Sequence, residues 1–308
     1  MRVAFVNTLF ELAKKNNQII LLTGDLGFSV FEKYIDELPQ QFLNVGIAEQ
    51  NMTGVGAGMA MEGKIPLIYS IVPFSTMRNF EQIRNDICYQ NLNVKIVGVG
   101  AGFSYGPYGH THHGLEDIGI LRTLANMVIL APGDPIEVHL ATKAMLAYKG
   151  PVYLRLGKAG EANVHKNKPS FTIGKGILLE DGSDITIIGT STLLLKALKV
   201  TKQLKEKGFS VRLISMHTIK PLDVDIVLES AKKTRAIFTI EEHSIIGGLG
   251  SAVAEILAEH GSHIIFKRIG VPDQFTKVIG SQEYMRSANN LLTKQIIKTI
   301  IDNLNNNG

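Results

Sequence analysis

The sequence predicts an α/β protein of two domains, each a mostly parallel sheet covered by helices. Three observations carry that prediction. Short apolar runs alternate with longer helical patterns along the chain, and apolar strands joined by helices make parallel sheets buried on both faces. The polar stretch 157–176, "GKAGEANVHKNKPSFTIGKG", has no apolar period, and the alternation restarts after it. At 308 residues the chain is also long for one core and comfortable for two. The expected division is a first domain over 1–160, a linker over 161–175 and a second domain over 176–308.

The elements follow in order. "MRVAFVNTLFELAKKN" carries Arg2 and Glu11 inside its apolar pattern and has no small-residue cleavage site, so it is expected to be a domain helix near 3–16, not a signal peptide. Strands are expected at 18–23, 42–45, 65–70, 93–100, 126–131 and 151–156, with helices near 50–62, 75–91, 116–125 and 134–148. In the second half, strands are expected at 184–189, 210–215, 235–240 and 263–270. The helix 192–207 stops at Gly208, a residue suited to a left-handed cap. The tail "IDNLNNNG" is expected to fray.

Composition narrows the function classes. Hydrophobic content of 45% with 19% charged residues is ordinary for a soluble globular protein. The net charge of +4 is spread along the chain rather than blocked, so nucleic acid is not an expected partner. Cys88 is the single cysteine and makes no internal disulfide; no Cys/His cluster suggests a metal site. With no apolar run of membrane-spanning length, the expectation is a cytoplasmic protein.

Parallel sheets place ligand sites at the carboxyl ends of their strands. That rule selects "GDLGFS" (24–29), "GIAEQNM" (46–52), "SYGPYGHTHHG" (104–114) and "EEHSIIGGLGS" (241–251). Gly54, Gly56 and Gly58 lie in a helical pattern and do not form a dinucleotide fingerprint. "IGGLGSA" reads as a close-packed turn into a helix. His110, His112 and His113 share one glycine-flanked loop without further metal ligands at suitable spacing; substrate hydrogen bonding or proton transfer suits them better. Glu49 opens a small-residued helix, and two explanations stand: a first-turn acid favoured by the helix dipole, or a placed catalytic carboxylate.

"NVGIAEQNMTGVGAGMAMEGKIPLIYS" resembles the glutamate motif of transketolases and is similar to that of 1-deoxyxylulose-5-phosphate synthase. "PFSTMRNFEQIRNDI", "GHTHHGLEDIGILRTLANMVILAPGD", "GTSTLLLKAL", "MHTIKPLD", "EEHSIIGGLGSAVAEIL" and "IGVPD" follow in the family's order. The resemblance covers nearly the whole chain and implies the pyrimidine-binding and carboxyl-terminal domains of that family. The third family domain, with its Gly-Asp-Gly segment and Mg²⁺ ligands, has no counterpart here. The resemblance therefore implies a thiamine-diphosphate enzyme completed by a separate partner chain, as an α2β2 assembly, with Mg²⁺ held by the partner.

By resemblance, Glu49 is the acid that bonds the pyrimidine ring nitrogen, with Gly46 and Ile47 beside it and Phe74 packed against the ring. His112 matches the histidine that contacts substrate near the new carbon–carbon bond, with His110 and His113 as neighbours. Asp25 matches an acid near the substrate, and Lys158, with Arg155, lies where the family often carries a phosphate-binding arginine. The chain departs from the pattern at three positions. Tyr108 stands where the family has an aspartate, His110 where it has a proline, and Gly100 where many transketolases have a further histidine. These changes put ordinary sugar-phosphate specificity in doubt.

The expected reaction moves a two-carbon ketol unit from a ketose to an aldose. One rival keeps the cofactor but decarboxylates an oxo acid, as a deoxyxylulose-phosphate-synthase-like enzyme or the beta subunit of a 2-oxo acid dehydrogenase. Another is a non-catalytic scaffold regulating a complete transketolase.

Overall fold

The computed structural model of the chain describes residues 1–158 and 160–306. Its strands are β1 (Ile19–Thr23), β2 (Phe42–Asn44), β3 (Ile65–Ile71), β4 (Lys95–Val99), β5 (Val128–Leu130), β6 (Val152–Leu156), β7 (Ile177–Glu180), β8 (Ile185–Gly189), β9 (Val211–Ser215), β10 (Thr218–Lys220), β11 (Ala236–Ser244) and β12 (Ile265–Val271). Its helices are α1 (Arg2–Ala13), α2 (Glu32–Glu37), α3 (Glu49–Met61), α4 (Val72–Thr76), α5 (Phe80–Gln82), α6 (Asp117–Arg122), α7 (Pro135–Ala147), α8 (Leu194–Glu206), α9 (Val224–Lys233), α10 (Leu249–Glu259), α11 (Gln282–Ala288) and α12 (Thr293–Asn306).

The strands form two mostly parallel sheets. The first runs β10-β5-β6-β4-β3-β1-β2 and the second β12-β11-β8-β9-β7. Strands β1, β4, β6, β8 and β9 are buried at every residue, as expected where helices cover both faces of a parallel sheet. Alternate residues feed opposite cores. Leu22, Ile68 and Ile96 pack on the α3 side, in a core that continues to Ile188, Ile214 and Ile237 of the second sheet. Leu21, Leu67 and Val97 pack on the other side with Phe5 and Leu9 of α1. Full burial of each such side chain contributes about 1.5–3 kcal/mol.

Three features differ from the expectation. The helix expected near 75–91 is broken: α4 starts with Pro73 in its first turn, and after α5 the chain widens into a π turn at Ile83–Cys88. The tail does not fray over 301–306, because α12 buries Ile296, Ile297, Ile300 and Leu304 against the second sheet's core; residues 307–308 lie outside the described residues. Strand β10, not expected at all, leaves the second sheet's topology and pairs antiparallel with β5, so that the second half of the chain extends the first sheet.

Polar contacts tie the two sheets together below the ends of β6 and β11. Arg155, on β6, is fully buried. Its Nε donates to Asp117 Oδ2 at 2.8 Å and NH1 to Ser191 Oγ at 3.1 Å, while NH2 donates to the carbonyls of Gly114 at 2.6 Å and Glu242 at 3.1 Å. Tyr153 Oη donates to the same Asp117 oxygen at 2.6 Å. Breaking such a pair from one side strands a buried charge. Arg155→Met should lower stability by about 3–5 kcal/mol, read as the urea midpoint at constant slope; an unchanged midpoint would contradict the role given to this contact.

Candidate active site

The carboxyl ends of β1, β2, β3 and β4 form one edge of the first sheet, and the chemistry collects there. Glu49 is the first residue of α3 and is 1% exposed. Its Oε2 accepts from Arg78 NH1 at 2.7 Å, and Ser70 Oγ, at the end of β3, lies 3.5 Å from Oε1. Thr53 Oγ1 donates back to the Glu49 carbonyl at 2.8 Å and accepts from Asn79 Nδ2 at 2.7 Å, which fixes the first turn of α3. The loop after β1 lies close by: a Cβ on Gly24 would stand 3.3 Å from the Gly46 carbonyl and 3.8 Å from Glu49 Oε1. Of the helix glycines, only Gly56 packs on the sheet, against Ile68; Gly54 and Gly58 face away from it.

Asn44 sets the geometry of this corner. Its Oδ1 accepts from the backbone N–H groups of Asp25 and Gly46, each at 3.0 Å, and its Nδ2 donates to Asp25 Oδ1 at 3.1 Å. Asp25 and Gly46 both hold positive φ, at 54° and 75°, so the side-chain clip braces two turns at once. Ile47, between Gly46 and Glu49, is 74% exposed.

Phe74, on α4, stands beside the acid. The Arg78 guanidinium carbon lies 4.5 Å from the centre of its ring, and the His112 ring meets it edge-on at 5.3 Å. Tyr108 also packs against His112, at 5.3 Å, and Tyr105 lies 6.4 Å from it. Lys158 Nζ sits 5.2 Å from the Tyr105 ring. Thr111 Oγ1 and His112 Nδ1 are 3.0 Å apart. The structure thus brings Glu49, Phe74, Tyr108, His112 and Lys158 into one chain of contacts, with Asp25 and Gly46 bracing its far end.

The three histidines separate. His110 is exposed and meets Phe275 edge-on at 4.5 Å. His113 is buried; its Nε2 donates to the Gly106 carbonyl at 3.3 Å, its Nδ1 has no partner, and Phe103 packs against the ring. Burial holds its pKa below the ordinary value, so the ring is neutral near pH 7. Arg155, expected at the substrate, does not join the group: its fork is spent inside the molecule, on contacts that include the Gly114 carbonyl at the base of this loop. The segment "EEHSIIGGLGS" is likewise structural. Glu241 accepts from the Leu249 and Gly250 N–H groups at 2.8 Å each, capping α10, and Glu242 binds Arg286 and Thr192.

Sequence reasoning missed Arg78, Asn44, Phe275 and Glu116. An open cleft of about 530 Å³ runs from Phe74 and Arg78 past His110 to Glu116 and Phe275, and Phe275 comes from the second half of the chain. Burial, and then the neighbouring Asp117, raise the Glu116 carboxyl above its ordinary pKa. Glu116 stood in a quoted motif but carried no separate signal; Phe275 is brought in only by the tertiary fold. Among the described residues no group of three His, Cys, Asp or Glu is placed to hold a metal ion. The arrangement suits a planar nitrogen heterocycle: a buried acid for a ring nitrogen, an aromatic ring for its face, and imidazoles along the cleft to orient hydroxyls or carry protons.

Known proteins resemble both halves of the chain. Residues 1–160 match the transketolase pyrimidine binding domain and residues 174–296 the transketolase C-terminal domain. The chain is 40% identical to a Methanocaldococcus jannaschii protein described as a transketolase C-terminal section, over 93% of this chain and 90% of that one. It is 37% identical to the 6-deoxy-6-sulfo-D-fructose transketolase subunit SqwH of a Clostridium species, over 97% of this chain and 92% of that one. A solved structure described as a split gene transketolase, inactive beta4 tetramer, superposes with a TM-score of 0.91 at 37% identity, covering 99% of this chain and 98% of that one.

The histidine loop generates a test. Gly100, where many transketolases carry a histidine, has φ +95°, and a Cβ there would stand 2.3 Å from the Tyr105 ring. A side chain at this position meets both backbone strain and overpacking, each costing about 1–3 kcal/mol. Gly100→Ala should lower the urea midpoint accordingly and speed proteolysis within 102–114; a variant as stable and as resistant as wild type would refute the packing described.

Proposed function

The chain belongs to the transketolase family, and on that premise we propose that it is the pyrimidine-binding and C-terminal half of a two-chain transketolase. The reaction moves a two-carbon ketol unit from a ketose to an aldose. A separate chain supplies the diphosphate-binding domain and holds Mg²⁺, and the two assemble as an α2β2 enzyme. Support for a partner comes from two relatives, one described as a C-terminal section and one as a subunit. The absence of a metal-binding cluster among the described residues is compatible with a site shared with that partner.

Membership implies dependence on thiamine diphosphate, and the residues present suit its pyrimidine half. The observation that carries the reading is Glu49, a carboxylate 1% exposed at a sheet edge, with the Phe74 ring in the same cluster. Bound, the cofactor supplies a carbon nucleophile that carries the two-carbon unit. Glu49 bonds the pyrimidine ring nitrogen and holds a proton there, general acid–base work by a desolvated, fixed carboxyl. Phe74 packs on the ring, and Gly46 and Ile47 border it. His112 orients donor hydroxyls and passes protons, held against Phe74 and Tyr108.

His110, in the cleft, and Asp25, at the turn after β1, contact the sugar's hydroxyls. Lys158 meets an anionic acceptor end as a point charge rather than a bidentate fork. His113, neutral and buried where it lines the cleft, braces the loop through the Gly106 carbonyl. Tyr108 in place of an acid favours a sugar outside the ordinary pentose-phosphate set, and the sulfosugar named for the Clostridium relative is an example of such a substrate class.

The test uses the chain mixed with its partner, thiamine diphosphate and Mg²⁺ in a ketol-transfer assay. Glu49→Gln should cut kcat about 10²–10⁴-fold, the contribution typical of a positioned acid–base group. Undiminished turnover by that variant would overturn the assignment.

A further inference from the structure

Arg155 and Arg78 each pair with a buried acid, and they are engaged differently. Arg155 makes four hydrogen bonds inside the protein and is itself fully buried. Arg78 is 46% exposed, and among the described residues the hydrogen bonding of its guanidinium goes to Glu49 alone, at 2.7 Å. The first arginine is locked. The second is held by one ion pair and one ring, and its long side chain is free to leave both.

The two contacts matter because of what they are. A guanidinium is a planar cation whose edge donates N–H bonds and whose face stacks on aromatic rings. Here the edge meets Glu49 Oε2, and the guanidinium carbon lies 4.5 Å from the centre of the Phe74 ring. An aminopyrimidine protonated on its ring nitrogen presents the same pair of features: a planar face and an N–H donor on the edge. Arg78 is half-exposed and bonded to Glu49 alone among the described residues, so little besides that bond and the ring contact holds it. Glu49, at 1% exposure, would otherwise be a buried carboxylate without a cation, a costly state.

Resting on the reading of Glu49 and Phe74 as the pyrimidine contacts, we propose that Arg78 is a stand-in for the aminopyrimidine. It neutralises Glu49 and covers Phe74 in the free chain, and it gives up both when the ring binds. Arg78 therefore sets cofactor affinity by competition: the observed affinity is the intrinsic one multiplied by the fraction of molecules in which Arg78 has left the site. Its role is positional, because its hydrogen bond holds the Glu49 carboxylate in place until the ligand arrives. The rival arrangement keeps Arg78 on Oε2 while the ring takes Oε1, where Ser70 Oγ is 3.5 Å away; there Arg78 would aid binding.

The experiment uses the isolated full chain and 4-amino-5-hydroxymethyl-2-methylpyrimidine, the pyrimidine half of thiamine, which needs no diphosphate site. Melting temperature is followed against millimolar probe for wild type, Arg78→Ala, Arg78→Met and Arg78→Ala combined with Glu49→Gln. Arg78→Met keeps the side-chain stem if the alanine variant folds poorly. If Arg78 is in place in about nine molecules of ten, its removal tightens the apparent Kd about tenfold, seen as a larger shift at each probe concentration. A shift equal to or smaller than wild type, including no shift in any variant, overturns the proposal. If the double variant responds as strongly as Arg78→Ala, then Glu49 is not the pyrimidine contact. The underlying reading then fails, a different result from an unimproved Arg78→Ala.

Discussion

A buried arginine under the histidine loop is the constraint on which the rest of the structure depends. Arg155 ties Asp117 at the start of α6, the Gly114 carbonyl at the base of the loop, Ser191 after β8 and the Glu242 carbonyl on β11 into one set of hydrogen bonds. Both sheets therefore meet at a single side chain. Gly102 and Gly114 exchange backbone bonds just above it, which closes the loop that carries His110, His112 and His113. His243, held neutral near this cluster because burial lowers its pKa to about 4, leaves the Arg155–Asp117 pair as the charged element. The loop's position is thus set by the domain contact rather than by the loop itself.

The cleft is built on that base from short segments at strand ends. Rigid strands supply Ser70 and Asn44, the first turn of α3 supplies Glu49, and one turn of α4 supplies Phe74. Placing the reactive groups on regular elements holds them more closely than loops do. The exposed side chains in and around the cleft include Ile47, Tyr108 and Phe275, apolar groups that suit coverage by another chain. A buried acid and solvent-facing aromatics lie along this edge, an arrangement in keeping with the proposed two-chain site.

Much of the architecture was legible because parallel strands read as unbroken apolar runs, and ten of the strand positions were expected from that signal alone. β10 was not, since three residues ending at a Lys-Pro pair carry no period and are held only by pairing with β5. β7, a four-residue strand at the sheet's edge with no fully buried residue, follows directly on the polar linker and carried too little apolar pattern to be expected. The cluster of Glu49, Phe74 and His112 was reachable through a series of motifs rather than through any one residue. Arg155 was misplaced because a charged residue near a site looks like a ligand; its partner Asp117 lies 38 positions away and only the folded chain joins them. His113 looked equivalent to His112 in sequence, yet it is buried and bonded to the Gly106 carbonyl while His112 is only half-buried among aromatic rings. Arg78 gave no signal, because its meaning lies in what it touches.

The central claim is that this chain holds only the pyrimidine side of a cofactor site that another chain completes. The most direct measurement is calorimetric titration of thiamine diphosphate with Mg²⁺ into the isolated chain, into its partner, and into the two mixed. The account predicts negligible heat from the chain alone and saturable binding in the mixture at one cofactor per pair of chains. Tight, Mg²⁺-dependent binding by the isolated chain would contradict it.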